Sequence, residues 1–239
     1  MQNTRKNMFG KKKEEEIIVL SVGGSLIFPE EIDINFLKGF RELILKYLKK
    51  GKRFIIITGG GKICRKYQNA ASTVVKLEKD DLDWLGIHAT RINAHLVRTI
   101  FRKESHSKII KNPTEKIDFK EKILVAAGWK PGCSTDYDAV LIAKNFNVKE
   151  IINLTNINCV CDKDPNKFKD AKPITKSSWD DFRKLLPEKW DPGLNSPFDP
   201  IAAKEAQESG LKVIILNGNN LNNFDNCLDG KEFVGTIIE

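Results

Sequence analysis

The residues best suited to chemistry in this chain are two glycine clusters and the polar side chains beside them. Gly23-Gly24-Ser25 follows the apolar run Ile17-Ile18-Val19-Leu20, and Gly59-Gly60-Gly61 follows Phe54-Ile55-Ile56-Ile57. Between a buried strand and a helix, missing side chains let the oxygens of an anion approach backbone N–H groups at a helix N-terminus. Lys62 and Arg65 stand one and four positions beyond Gly61, so a helix starting there carries both cations within reach of a phosphate at its end. The plainer alternatives are tight turns without a ligand and two solvated surface cations. Familiar phosphate motifs fit neither turn. Gly59-x-Gly61 has Cys64 where a dinucleotide-binding turn needs its third glycine, and Gly61-Lys62 is followed by Ile63 rather than Ser or Thr.

Two further polar stretches follow apolar runs. Gly128-Trp129-Lys130-Pro131-Gly132-Cys133-Ser134-Thr135-Asp136 comes after Ile123-Leu124-Val125-Ala126, and its hydroxyls and N–H groups suit an anionic acceptor, or else simply cap a helix. Thr155-Asn156 through Asp162-Lys163-Asp164-Pro165 comes after Ile151-Ile152-Asn153-Leu154. Ligands of open α/β sheets bind beyond the carboxyl ends of the strands, so four such loops at one edge make one site.

The elements that must position these loops are also legible. Apolar β-branched runs at 17–20, 54–57, 123–126, 151–154 and 213–216 suit strands covered on both faces. Helices are expected from Asp33 as N-cap to Gly51, with Ile34, Leu37, Phe40, Ile44 and Leu48 inward, and from about 80 to 101, with Leu82, Leu85, Ile92, Leu96 and Ile100 inward. Others are expected after Gly61 and over 134–146, 178–186 (capping box Ser178 to Asp181) and 199–209 (Asp199-Pro200 as N-cap and first-turn proline). Strands alternating with helices predict an α/β three-layer sandwich, a mostly parallel sheet with helices on both faces. The segment 187–197 reads as a loop.

The 239 residues, 41% hydrophobic, allow one substantial core, so residues 14–239 are expected to form one domain. Of the formal charge of +8, five come from Arg5, Lys6, Lys11, Lys12 and Lys13 in a tail, 1–13, that is basic and expected to be disordered. The rest of the chain is near balance and shows no basic stripe interleaved with aromatics, which argues against nucleic acid as a partner. No apolar run is long enough to span a bilayer. Five cysteines, an odd number, fit a reduced, cytoplasmic setting, and Cys159-Val160-Cys161 has no second pair to complete a metal site.

The chain resembles the amino acid kinase family, and within it the archaeal-type uridylate kinases. The resemblance rests on Val22-Gly23-Gly24-Ser25, on 59–67 (Gly59-Gly60-Gly61-Lys62 through Tyr67) and on 86–94 (Gly86-Ile87-His88-Ala89-Thr90-Arg91-Ile92-Asn93-Ala94). It continues through 131–136, Leu154-Thr155-Asn156, Asp164-Pro165 and 199–204. It implies the amino acid kinase fold, transfer of the γ-phosphoryl group of ATP to UMP with Mg²⁺, a place in pyrimidine biosynthesis, and a homo-oligomer, usually a hexamer. On the donor side it implies Gly24, Ser25, Gly61, Arg65, Thr155, Cys161 and Asp164. On the acceptor side it implies Gly60, Asp83, Asn156 and the run Lys130, Pro131, Gly132, Cys133, Ser134, Thr135 and Asp136. Lys62, Arg65 and Ser25 are the residues expected to act on the transferred group, since phosphoryl transfer needs positioning and charge neutralisation rather than a protein nucleophile.

The chain departs from the family at several of these places. Ser21 stands where many relatives have a lysine, Asn158-Cys159-Val160-Cys161 where they read Asp-Gly-Val-Tyr, Cys133 for a histidine and Tyr137 for a small residue. Two alternatives follow: a kinase of the same fold for another phosphate or carboxylate acceptor, and a nucleotide-binding sensor or storage protein without turnover.

Overall fold

A computed structural model describes residues 16–115, 117–165, 167–187 and 196–239. The expected basic tail and most of the loop at 187–197 lie outside these residues. Strands β1 (Ile17–Val22), β2 (Arg53–Thr58), β3 (Ser105–Ile110), β4 (Ile123–Ala126) and β5 (Glu150–Thr155) precede a short hairpin, β6 (Val160–Cys161) with β7 (Pro173–Ile174). β8 (Lys176–Ser177), β9 (Lys212–Asn217) and β10 (Thr236–Ile238) complete the set. The main sheet has eight strands in the order β3-β4-β2-β1-β5-β9-β10-β8. All its pairings are parallel except β9 with β10. The carboxyl ends of β1, β2, β4, β5 and β9 therefore share one edge.

The helices are α1 (Gly24–Ile27), α2 (Ile34–Lys49), α3 (Gly61–Val74), α4 (Lys79–Ile100), α5 (Thr135–Asn145), α6 (Trp179–Lys184), α7 (Pro200–Glu208) and α8 (Leu221–Leu228). The caps expected from sequence are formed. Asp33, Ser134, Ser178 and Asp199 accept from the N–H groups of Phe36, Tyr137, Asp181 and Ala202, each three residues on.

Alternation along the strands divides the core in two. Ile18, Leu20, Val22, Phe54 and Ile56 point to a layer containing Phe40, Ile44 and Tyr47 of α2, Ala94 and Val97 of α4 and Phe224 of α8. Val19, Ile55 and Ile57 point to the opposite layer, with Ala139 and Val140 of α5, Phe182 of α6 and Ala202 of α7. This is the three-layer arrangement expected.

Two expectations about helix faces fail. Ile34 is 60% exposed, because α2 turns it past the end of the core. On α4 the buried residues are Ile87, Ala89, Thr90, Asn93, Ala94 and Val97; of the expected inward residues Leu96 and Ile100 pack against the core, Leu82 and Leu85 are partly covered, and Ile92 is 60% exposed. Beside Ile87 and Val97, the inward face of α4 carries small and polar residues, Ala89, Thr90, Asn93 and Ala94, which a count of large apolar side chains passes over. Helix α3, lying against α4, has no buried residue at all.

Candidate active site

The two glycine turns lock into each other. Gly23 N–H donates to Leu154 O at the end of β5, and Gly59 N–H to Val22 O at the end of β1. A Cβ on Gly24 would lie 2.0 Å from the Gly61 nitrogen and 2.6 Å from Gly59 backbone atoms. One on Gly61 would lie 2.3 Å from Gly24 O, and Gly61 has φ +68°, a left-handed conformation that other residues rarely adopt. The glycines are thus required first by backbone-to-backbone contact. That contact brings the N-terminal ends of α1 and α3 side by side.

Polar residues on the inward face of α4 hold the turns. Asn93 Nδ2 donates to Gly59 O at 2.8 Å and Gly60 O at 3.2 Å. Thr58 Oγ1 donates to Thr90 O, and Thr90 Oγ1 accepts from Gly128 N–H at 2.8 Å. One helix therefore fixes both the 59–61 turn and the start of the 128–136 loop. Asp83, near the start of the same helix, accepts from Gly132 N–H at 2.8 Å. Gly132 has φ +80° with nothing near a Cβ, so it is glycine for conformation and not for space.

Between α3, α4 and this loop lies a cavity of about 190 Å³. The structure brings Gly60, Gly61, Arg65, Asp83, Cys133, Ser134 and Thr135 together on its wall, all of them expected site residues. Gly24 abuts Gly61, and Ser25 follows on α1. Lys130, Pro131 and Gly132 form the outer part of the loop, with the Lys130 ammonium 4.0 Å from the centre of the Trp129 ring. Thr155 ends β5 and donates to Asn156 Oδ1, and Cys161 and Asp164 sit on and after β6. These last four do not line the cavity; they lie along the β5–β6 side of the edge. Lys62 is directed away, its ammonium paired with Glu30, and its backbone N–H donates to Phe28 O. Of the two cations beyond Gly61, only Arg65 lines the cavity.

Three carboxylates cluster where α5 and α7 begin. Asp136 accepts long contacts from Ser21 Oγ (3.4 Å) and Asn153 Nδ2 (3.5 Å), and Asp199 N–H donates to its Oδ2 at 3.2 Å. Burial, then the neighbouring Asp199 carboxylate, pushes Asp136 up to about 7. Asp138 is fully buried, accepts from Trp129 N–H at 3.1 Å, and is also pushed up to about 7, chiefly by burial. Burial raises Asp199 as well. Burial pushes the Cys133 thiol up to about 11, with Asp138 adding to it, so this is a poor nucleophile. Among the described residues no three His, Cys, Asp or Glu side chains are grouped as a metal-ligand set.

Thr90, Asn93, Asp138 and Asp199 carry much of this architecture and were not singled out as site residues from sequence. Thr90 and Asn93 stand in the 86–94 motif, three apart on one helix face, which was the available signal.

A mostly parallel sheet with interlocked glycine turns and, at its carboxyl edge, a cavity onto which Arg65, Asp83, Ser134 and Thr135 open defines an α/β protein built to hold a small anionic ligand. The model of the amino acid kinase family matches residues 16–217. A uridylate kinase of Sulfurisphaera tokodaii is 34% identical over 226 residues, covering 93% of this chain and 98% of that protein. One of Thermoplasma volcanium is 33% identical over 94% and 98%. Among solved structures, the uridylate kinase of Archaeoglobus fulgidus superposes with a TM-score of 0.78 at 25% identity, covering 94% of this chain and all of that one. The UMP kinase of Bacillus anthracis has the same fold, with a TM-score of 0.75 at 19% identity. The chain belongs to the amino acid kinase family.

Proposed function

We propose that this protein transfers the γ-phosphoryl group of ATP to UMP, giving ADP and UDP. The observation that carries this is the agreement of nearly the whole chain with proteins named uridylate kinase, at 34% identity over 93% of its length. The site supports it. Two helix N-termini and Arg65 meet at the interlocked turns, and Asp83 with the 132–135 loop faces them across the cavity. Such a layout serves phosphoryl transfer, which needs two nucleotides positioned in line and the charge between them neutralised.

In this reading Gly24, Ser25, Gly61, Arg65, Thr155, Cys161 and Asp164 serve ATP, and Gly60, Asp83, residues 130–136 and Asn156 serve UMP. Arg65 and Ser25 act on the transferred group; Lys62 joins them only on leaving Glu30. In the same reading Mg²⁺ enters with the ATP phosphates, as phosphoryl transfer requires. Asp83 takes the acceptor's ribose hydroxyls with the oxygen that Gly132 N–H leaves free.

The test is turnover of purified protein with ATP and Mg²⁺ against UMP, CMP, dTMP and GMP. Preference for UMP is expected. Preference for another acceptor would replace the substrate, and nucleotide-dependent thermal stabilisation without turnover would favour a sensor.

We further propose a cytoplasmic homo-oligomer built from residues 14–239, a hexamer as in the family. None of the described helices is long and apolar enough to cross a membrane. The outward side of the α3–α4 pair carries Tyr67, Trp84 and Ile92, each more than 40% exposed, a face suited to a second copy of the chain.

A further inference from the structure

Resting on this acceptor assignment, we propose that Asp138 and Arg91 are positioning residues that grip the Trp129 backbone from opposite sides and so hold the 128–134 loop in the shape that takes the acceptor. Asp138 Oδ2, on α5, accepts from Trp129 N–H at 3.1 Å, and an Arg91 Nη2–H, on α4, donates to Trp129 O at 3.0 Å. The same residue is thereby pinned by an anion on one side and a cation on the other. Thr90 at Gly128 and Asp83 at Gly132 pin the loop at either side of it.

The choice of residue points to function rather than to folding. Asp138 is 0% exposed, its other oxygen, Oδ1, meets no donor among the described residues, and Arg91 Nε is likewise buried without a partner. A buried carboxylate with one hydrogen bond destabilises a fold, and a single N–H is satisfied at lower cost by a neutral acceptor. Such departures from local consistency belong at functional sites. A charged acceptor strengthens the bond to Trp129 N–H, and the Arg91 guanidinium across the same residue strengthens its partner bond. The groups that face Asp138 are Asp136 on its own helix, Asp199 at the start of α7, and Lys130 and Cys133 in the loop; burial together with the two carboxylates raises its pKa to about 7. The grip is consequently firmest above neutrality.

Two substitutions, Asp138→Asn and Arg91→Lys, keep size and test each side. With a parent protein that phosphorylates UMP, Asp138→Asn is expected to raise KM for UMP about 5- to 10-fold at pH 8, with kcat and KM for ATP within about twofold. The KM penalty should shrink toward pH 6, where the parent carboxyl is itself neutral. Its melting temperature at pH 8 should be no lower than the parent's, since the substitution removes a buried charge; a merely structural role would lower both together. Arg91→Lys should show the same KM-against-kcat split. Backbone hydrogen exchange over 128–134 reads the grip without turnover, and faster exchange is expected in both variants. Unchanged exchange, or an unchanged KM for UMP, overturns the proposal. A parent that does not turn over UMP, with exchange still faster in the variants, sinks the acceptor assignment and leaves the grip in place.

Discussion

Gly24→Ala should damage this protein through geometry alone. The added methyl carbon would lie 2.0 Å from one backbone atom of the other turn and 2.6 Å from two more, where carbon contacts ordinarily exceed 3.4 Å. No flexible side chain stands there to give way, so the turns must part by roughly 1 Å or more. Overpacking costs about 1–3 kcal/mol, and a clash against backbone falls at the upper end. For a chain of this size about 3 kcal/mol lowers the melting temperature by roughly 6–12 °C. Misplacement of reacting groups by about 1 Å costs on the order of 100-fold in rate. Gly132→Ala is the control, because it has φ +80° but open space around it. It should lose only the roughly 1–2 kcal/mol of a left-handed alanine and act mainly on KM for UMP. Thermal denaturation and steady-state kinetics on both variants decide the matter. Wild-type kcat and melting temperature in Gly24→Ala would refute the interlocked turns as the basis of the site.

Arg65→Ala should lower kcat on the order of 100-fold, whereas Lys62→Ala, which breaks only a solvent-screened surface ion pair with Glu30, should cost less than about threefold. Comparable losses in the two variants would mean that Lys62 leaves Glu30 during turnover. Asp136 and Asp138 are pushed up to about 7, against about 3.9 in an unfolded chain. The folded state therefore holds protons that the unfolded state has released, so stability is greatest below about pH 4 as regards these groups and falls as pH rises to about 7. Denaturant titrations of the parent and Asp138→Asn at pH 5 and pH 8 should show the variant gaining at pH 8 relative to pH 5; equal differences at both would rule out the raised pKa. Trp84→Glu, on the outward α3–α4 face, should reduce the mass measured by light scattering if that face is the contact between copies, and an unchanged mass would place the contact elsewhere.

Sequence reasoning succeeded where a single physical signal dominates. β1, β2, β4, β5 and β9 are apolar on nearly every position because helices cover both faces, and the N-caps at Asp33, Ser134, Ser178 and Asp199 announce their helices by residue type. It failed where burial serves the site. The inward face of α4 presents Thr90 and Asn93 to the glycine turns, while Ile92, expected inward with Leu96 and Ile100, points out. Short elements such as β8, β10 and the β6–β7 hairpin carry too few residues for any periodicity to register. The glycine turns were recognised as such, yet the contact that makes Gly24 and Gly61 irreplaceable joins residues on different strands and has no local signature. Which anion Lys62 meets is likewise a matter of three dimensions, since Glu30 is 32 positions away.

The order of strands in space has a consequence for how the protein is made. β1, emerging early, sits inside the sheet between β2 and β5, and Gly23 N–H in its turn donates to Leu154 O. Thr155 O in turn awaits Gly218 N–H. A nascent chain on the ribosome can pair β1, β2 and β4, but the first glycine turn stays hydrated on one side until more than half of the polypeptide has left the exit tunnel. Nucleotide binding is for that reason a late event in biosynthesis, and an arrested chain ending before β5 would carry both glycine turns and still lack a finished site.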